Sequence, residues 1–353
     1  MMPERRLILR AVMALLAAMA GLALVSGFIR RAVNDLGEWR DTGMPTEKLR
    51  QLRDIASEVD VLVLGSSRLL HGFSPVVFDE EMARNGGTAR SYNLSLQRLL
   101  LWEQEQMLQD ALSLPGLRPR LVLLEPAVGL GIAPENFTHA RTIAFETPAA
   151  WARAVTVIAG SERPLWHQAW NITTHTIVLG LNLAHYGAFN TRAFPDQPAE
   201  PGSVPLAPAN RGFVPLAPLG ATAPAASEVE SAAASYRADH VGSSTGITPL
   251  PAALRTHFLR LKAAAEARGA RVVFVQPPAL GFTTPELRSL TRRFAPDLAK
   301  KAEVWSFLDP DAHPELFTPR LWSDYNHLNA EGAKVLSREL ARRAAEAEPR
   351  GTR

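Results

Sequence analysis

The feature that most limits what this chain can fold into is a short apolar run that recurs and always stops at a turn. Val59 to Leu64 is mostly β-branched and apolar and breaks into Gly65-Ser66-Ser67. Leu121 to Leu124 stops at Glu125-Pro126, Arg271 to Val275 at Gln276-Pro277-Pro278, and Val304 to Leu308 at Asp309-Pro310. Such runs are the signature of buried parallel strands. Between them Arg98 to Leu112, Ala252 to Arg268 and Ala330 to Ala345 carry helix formers with apolar residues three and four apart, the second closed by Gly269. Strand and helix in alternation predict an α/β fold: a parallel sheet of about five strands with helices on both faces, in three layers.

The alternation is interrupted. Residues 59–126 and 251–347 form the two parts of the predicted sheet domain, and 127–250 form a large insertion. Its first part, 148–190, holds Trp151, Trp166, Trp170, His167, His175 and His185 and an apolar stretch, Ile177 to Leu183, expected to be helical. Its second part has eight prolines between Pro195 and Pro224, which forbids regular structure and predicts an extended or mobile segment. A lid and a linker are both open readings. Residues 32–58 read as a connector and a helix opened by Pro45, with Leu49, Leu52, Ile55 and Ala56 on one side, and 348–353 as a tail.

Location is written at the amino terminus. Ala11 to Ile29 is an uncharged run of 19 residues, roughly 28 Å as a helix and close to one bilayer core. Arginines 5, 6 and 10 precede it and Arg30 and Arg31 follow. The run ends in Val25-Ser26-Gly27 rather than an A-x-A-like exit, so residues 1–31 are expected to be a cytoplasmic stub and an uncleaved signal-anchor. The chain would then be single-pass in the cell membrane, its catalytic domain extracytoplasmic, and periplasmic if the cell is Gram-negative. A net charge of +3 over 353 residues, with no local basic cluster, argues against nucleic acid. The absence of cysteine removes disulfide, zinc-thiolate and thiol-nucleophile chemistry.

Two short stretches carry candidate chemistry. Gly65-Ser66-Ser67-Arg68 follows the best strand, at the carboxyl end where open parallel sheets place their sites. Taken alone it is an ordinary turn. Near the other end, Asp324 and His327 stand three apart in Ser323-Asp324-Tyr325-Asn326-His327, and Asn329 suits the N-cap of the next helix. One turn of loop lets Asp324 accept the imidazole Nδ1 proton and leaves Nε2 as a base. A serine hydroxyl needs such a base to become a nucleophile, so Ser67, His327 and Asp324 supply one of each part. Asp309, Asp311 and His313 lead to no nucleophile and read as a solvated loop. The spacing of His167, His175 and His185 suits no metal, and neither metal nor cofactor is assigned. Arg68 and His71 are candidates to touch an anionic or sugar substrate, or equally helix-start positions.

These residues resemble the SGNH or GDSL-like hydrolase superfamily. Gly65-Ser66-Ser67 resembles its first block, Gly-Asp-Ser; Asn93-Leu94-Ser95 its second, Asn-x-Gly; and Asp324-Tyr325-Asn326-His327 its last, Asp-x-x-His. The resemblance implies a flavodoxin-like three-layer fold, Ser67 rather than Ser66 as nucleophile, and Ser95 lending a backbone N–H to the oxyanion hole. The third block, Gly-x-Asn-Asp, is absent, for the chain reads Glu125-Pro126-Ala127. The oxyanion site would then borrow Asn93 or Arg68. The Gly-Ser-Ser variant behind an anchor is similar in layout to proteins of alginate O-acetylation and of teichoic acid D-alanyl transfer. By that analogy the chain is expected to be an esterase or O-acyltransferase on an envelope polysaccharide, partnered by a membrane-bound O-acyltransferase. A catalytically silent glycan-binding or scaffold domain is the alternative.

Overall fold

The computed structural model describes residues 21, 24, 43–126, 128–184, 206–217, 224–241, 249–281 and 285–347. Among them the chain divides into two compact units, a sheet unit built on 47–130, 160–162 and the described residues from 206 onward, and a helical unit built on 131–159 and 163–184. The uncharged run at 11–29 and the tail at 348–353 lie outside the described residues, apart from Gly21 and Leu24. No helix among the described residues is long and apolar enough to cross a membrane.

In chain order the elements are α1 (Met44–Asp54), β1 (Val61–Leu64), α2 (Ser67–Gly72), α3 (Pro75–Arg84), β2 (Ser91–Asn93), α4 (Leu101–Leu112), β3 (Leu121–Leu124), α5 (Ala140–Phe145), α6 (Pro148–Ala159), α7 (Leu165–Leu183), α8 (Ala226–Val241), α9 (Ala252–Glu266), β4 (Arg271–Gln276), α10 (Pro285–Leu298), β5 (Glu303–Ser306) and α11 (Ala330–Glu346). All five strands are parallel, in the order β2-β1-β3-β4-β5. β1 and β3 are buried along their whole length, as strands covered on both faces must be, so their residues read as unbroken apolar runs. α11 packs on α3 and α2, and α9 packs on α4 and β4, an arrangement consistent with three layers. The core between them includes Val61, Val63, Phe73, Leu123, Val273, Trp322 and Leu336.

The chain leaves β1 towards β2 on one side and β3 on the other. Crossovers diverge there, and the diverging loops open a crevice at the carboxyl ends of the strands. Ser67 stands at the end of β1 and Glu125 at the end of β3. The predicted strands and helices are present with ends shifted by up to three residues. β2 lies outside the four predicted runs, because Ser-Tyr-Asn carries no apolar signature.

The insertion does not behave as one piece. Its helical part, α5 to α7, belongs to the second unit, where His175 and Glu146 form a fully buried pair at 2.9 Å. The proline-rich part was expected to be extended or mobile, but residues 206–217 are fastened to the sheet unit. Asn93 N donates to Arg211 O (2.9 Å), Val214 N to Leu70 O (3.3 Å) and Ala330 N to Leu216 O (3.1 Å). Arg211 also pairs with Asp79. Prolines suit this role, since an extended strap needs few N–H donors of its own. At its centre Gly212 has φ +82°, and a Cβ there would lie 2.1 Å from Asn93 O, so only glycine fits the crossing.

Candidate active site

Gly65 ends β1 in a space that admits no side chain: a Cβ would meet Glu125 Oε2 at 2.6 Å and Glu125 Cβ at 2.7 Å. The next two serines then take different tasks. Ser66 is the N-cap of α2, with its Oγ accepting from Arg68 N (3.3 Å). Its own N–H donates to Glu125 Oε2 and its hydroxyl to Glu125 Oε1, each at 2.8 Å. Ser66 is therefore fully engaged. Ser67, one residue on, directs its Oγ to His327 Nε2 at 2.7 Å.

His327 is held from its other side. Its Nδ1 lies 2.8 Å from Asp324 Oδ2 and 2.9 Å from Oδ1. Asp324 Oδ1 also accepts the N–H groups of Asn326 (2.8 Å) and His327 (2.9 Å), closing the loop on itself. Burial raises the Asp324 carboxyl, but the His327 hydrogen bond and these backbone donors outweigh it and hold the group below its ordinary value. An ionised Asp324 can only accept, so it takes the Nδ1 proton and leaves the Nε2 lone pair facing Ser67. The loop is pinned at both ends. Ser323 N donates to His327 O (2.9 Å), Asn329 N to Leu321 O (2.9 Å), and the Asn329 side chain caps α11 through Glu331 N and Gly332 N.

The residues expected to complete an oxyanion hole are placed otherwise. Asn93 Nδ2 donates to Leu69 O (2.8 Å), which also accepts from Phe73 N (3.0 Å), and to the C-cap carbonyl Phe73 O (2.9 Å), while its Oδ1 accepts from Ser95 N (3.0 Å). The Asn93 amide is thus spent on the end of α2 and the Ser95 N–H on the Asn93 side chain, and both residues are fully buried. A short helix leaves its terminal carbonyls unpaired, and Asn93 supplies them. Arg68 Nε lies 3.3 Å from Glu125 Oε1, beside a small crevice lined also by Gln276 and Phe294. The Ser67 N–H, at the first position of α2, finds no acceptor among the described residues.

Three further residues frame the site. Glu125, which stands in the sequence only where an asparagine is missing, organises the turn before the nucleophile through the Ser66 N–H and hydroxyl. His71 is buried, its Nδ1 2.8 Å from Val214 O. Burial, opposed by the Val214 carbonyl and Asp324, pushes it down to about 4. It is therefore neutral, with Nδ1 as the donor. Lys48 is wholly buried and donates to Asn93 O (2.9 Å), Ser95 O (2.6 Å) and Gly212 O (2.7 Å). A signal for it exists in the sequence: Lys48 lies one turn before Leu52 on the apolar side of α1.

Of the other clusters, Asp311 pairs with Arg237 (2.7 Å) and His313 lies buried near Phe307. Among the described residues no three His, Asp or Glu side chains are grouped so as to hold a metal ion. No protein-family model matches the chain, and no curated protein matches it.

Proposed function

We propose that this protein is a membrane-anchored, extracytoplasmic serine acyl-ester enzyme of SGNH-like, flavodoxin-like architecture, an esterase or O-acyltransferase acting on a cell-envelope or exported polysaccharide. The observation that carries the reading is the relay in which Ser67 Oγ, His327 Nε2, His327 Nδ1 and Asp324 follow one another at 2.7 Å and 2.8 Å. Ser67 Oγ attacks the acyl carbon while Nε2 takes its proton. Collapse of the tetrahedral species breaks the ester C–O bond, and the imidazolium returns the proton to the departing alcohol. Water or a sugar hydroxyl, deprotonated by the same nitrogen, then takes the acyl group from Ser67. Asp324 holds the ring in one tautomer and stabilises its charged form.

The Ser67 N–H is the backbone donor left for the oxyanion, while the Arg68 side chain, a candidate to assist it, is paired with Glu125. A site with one donor fewer is expected to be slow, since losing one typically costs about 100- to 1,000-fold in turnover. That same deficit favours a second reading, a silent domain that binds glycan or scaffolds a membrane-bound O-acyltransferase.

A fluorophosphonate probe separates the two readings. Labelling that vanishes in Ser67→Ala and in His327→Ala supports the enzyme; no labelling of the full-length chain, or labelling unchanged in Ser67→Ala, overturns it. Acetyl release from an aryl ester, measured with and without an oligosaccharide acceptor, then distinguishes transfer from hydrolysis.

A further inference from the structure

We propose that the exposed face of α7 rests on a lipid bilayer, seating its tryptophans among the headgroups. The helix is inside out. Its buried face carries three polar residues, Asn171, Thr174 and His175, beside Val178, whereas Trp166, Trp170 and Ile177 are 69%, 51% and 46% exposed. Trp166, Trp170 and Ile177 follow one another at intervals of four and seven, so they share one side of the helix, and Thr173 lies between them. Leu165 and Leu183, at the two ends and about a quarter turn or more round the helix from that line, are 82% and 43% exposed. A helix facing water shows the opposite arrangement, because exposed apolar surface gains nothing there and buried polar groups must be paired.

The occupant is argued from charge and from reach. No charged residue occurs in the 19 residues of α7, so its surface offers no ionic register to a protein partner. Two tryptophans at one end match the amphipathic ring that headgroups select. The helix is too polar to span, so it would lie along the interface with its other face kept in protein. The uncharged run at 11–29 supplies the approach. Residues 30–42 fully extended reach at most about 45 Å, so a bilayer holding that run keeps the chain at residue 43 within that distance of its surface.

The proposal shares only the anchor with the function proposed above. The absence of cysteine makes its test direct. Thr173→Cys and Ile177→Cys, both at exposed positions and leaving the tryptophans in place, and a control Glu230→Cys on α8, are each labelled with an environment-sensitive fluorophore. The full-length chain is then reconstituted into phosphatidylcholine–phosphatidylglycerol vesicles containing doxyl-labelled lipid. The expected result is a blue-shifted emission quenched at least twofold by the doxyl lipid at 173 and 177, with position 230 quenched by aqueous iodide instead. Protein that floats with the vesicles while 173 and 177 behave like 230 overturns the proposal and leaves the anchor standing. Failure to float overturns both. Efficient disulfide cross-linking between copies through Ile177→Cys at low protein-to-lipid ratio identifies a second copy as the occupant and also overturns it.

Discussion

The rings of His71 and His327 meet edge to face, their centroids 5.3 Å apart and their planes at 88°. His71 follows Ser67 by four residues, so the two share one side of α2, and His327 lies across that side. Its Nε2 meets Ser67 and its flank meets His71. The Val214 carbonyl fixes His71 in turn, which links the proline-rich strap to the geometry of the proton relay.

His71 is thus expected to act as a positioning residue. His71→Ala frees the His327 ring and should lower kcat by about ten- to a hundredfold with KM little changed, given how steeply turnover falls with misplacement. His71→Phe keeps the ring contact and loses only the Val214 bond, so it should recover most of that loss. Steady-state kinetics on an aryl ester decide the matter. Equal loss in both variants would count against positioning, and unchanged kcat in His71→Ala would refute it.

The same residue gives the fold a pH dependence of definite sign. His71 titrates near 4 in the native protein, against an ordinary value of 6.5, because burial opposes its charge. The groups facing it are His327, Lys48 and Asp324. Between those two values the unfolded chain binds more protons than the native one, so stability rises with pH across the window and is lost as pH falls from 6.5 towards 4. Two to three pH units correspond to about 3 kcal/mol. Urea unfolding at pH 4.5 and pH 7 should show this loss in the wild type, and His71→Phe should be less sensitive over the same window. A His71→Phe curve parallel to the wild type would contradict the assignment.

The sheet was legible in the sequence because parallel strands buried on both faces have no polar alternation to hide them. Val61–Leu64 and Leu121–Leu124 announce themselves for that reason. Ser91–Asn93 does not, being an edge strand of three residues whose polar side chains are used for bonding. The relay was legible because Asp324 and His327 are close in sequence and Ser67 follows a strand. Asn93 and Ser95 show where pattern fails. The residue types suit oxyanion donors, but a six-residue helix needs its carbonyls paired, and Asn93 meets that local demand. Arg211 and Gly212 lay in a proline-rich stretch whose composition describes its backbone and says nothing of what it touches.

Lys48 ties the strap, β2 and α1 together through one atom. Its three N–H groups meet three carbonyls, a match that the ammonium alone satisfies, since a neutral amine has two. Burial pushes its pKa well below the ordinary value. Lys48→Met fits the space and leaves three buried acceptors unpaired. The expected loss is about 2–5 kcal/mol, read as a lower urea midpoint with an unchanged m-value. Loosening of the strap should also raise amide exchange at Asn93, which donates to Arg211 O. A midpoint within experimental error of the wild type would show that these carbonyls find other donors.

Gly65 tests the placement of Glu125. A Cβ at position 65 would overlap Glu125 Oε2 (2.6 Å), Glu125 Cβ (2.7 Å) and Leu69 Cδ1 (2.9 Å). Leu69 Cδ1 ends a flexible side chain and can move, but Glu125 Cβ is fixed by its backbone, one residue past the end of β3. Gly65→Ala should therefore displace the Ser66-Ser67 turn, cost about 1–3 kcal/mol and slow fluorophosphonate labelling of Ser67 where the wild type reacts. Glu125→Gly removes both clashing atoms. In that background the added stability cost of Gly65→Ala should fall by more than half, which a double-mutant cycle on urea midpoints measures directly. Strict additivity of the two substitutions would mean that the strain arises elsewhere and that the carboxylate does not shape the turn.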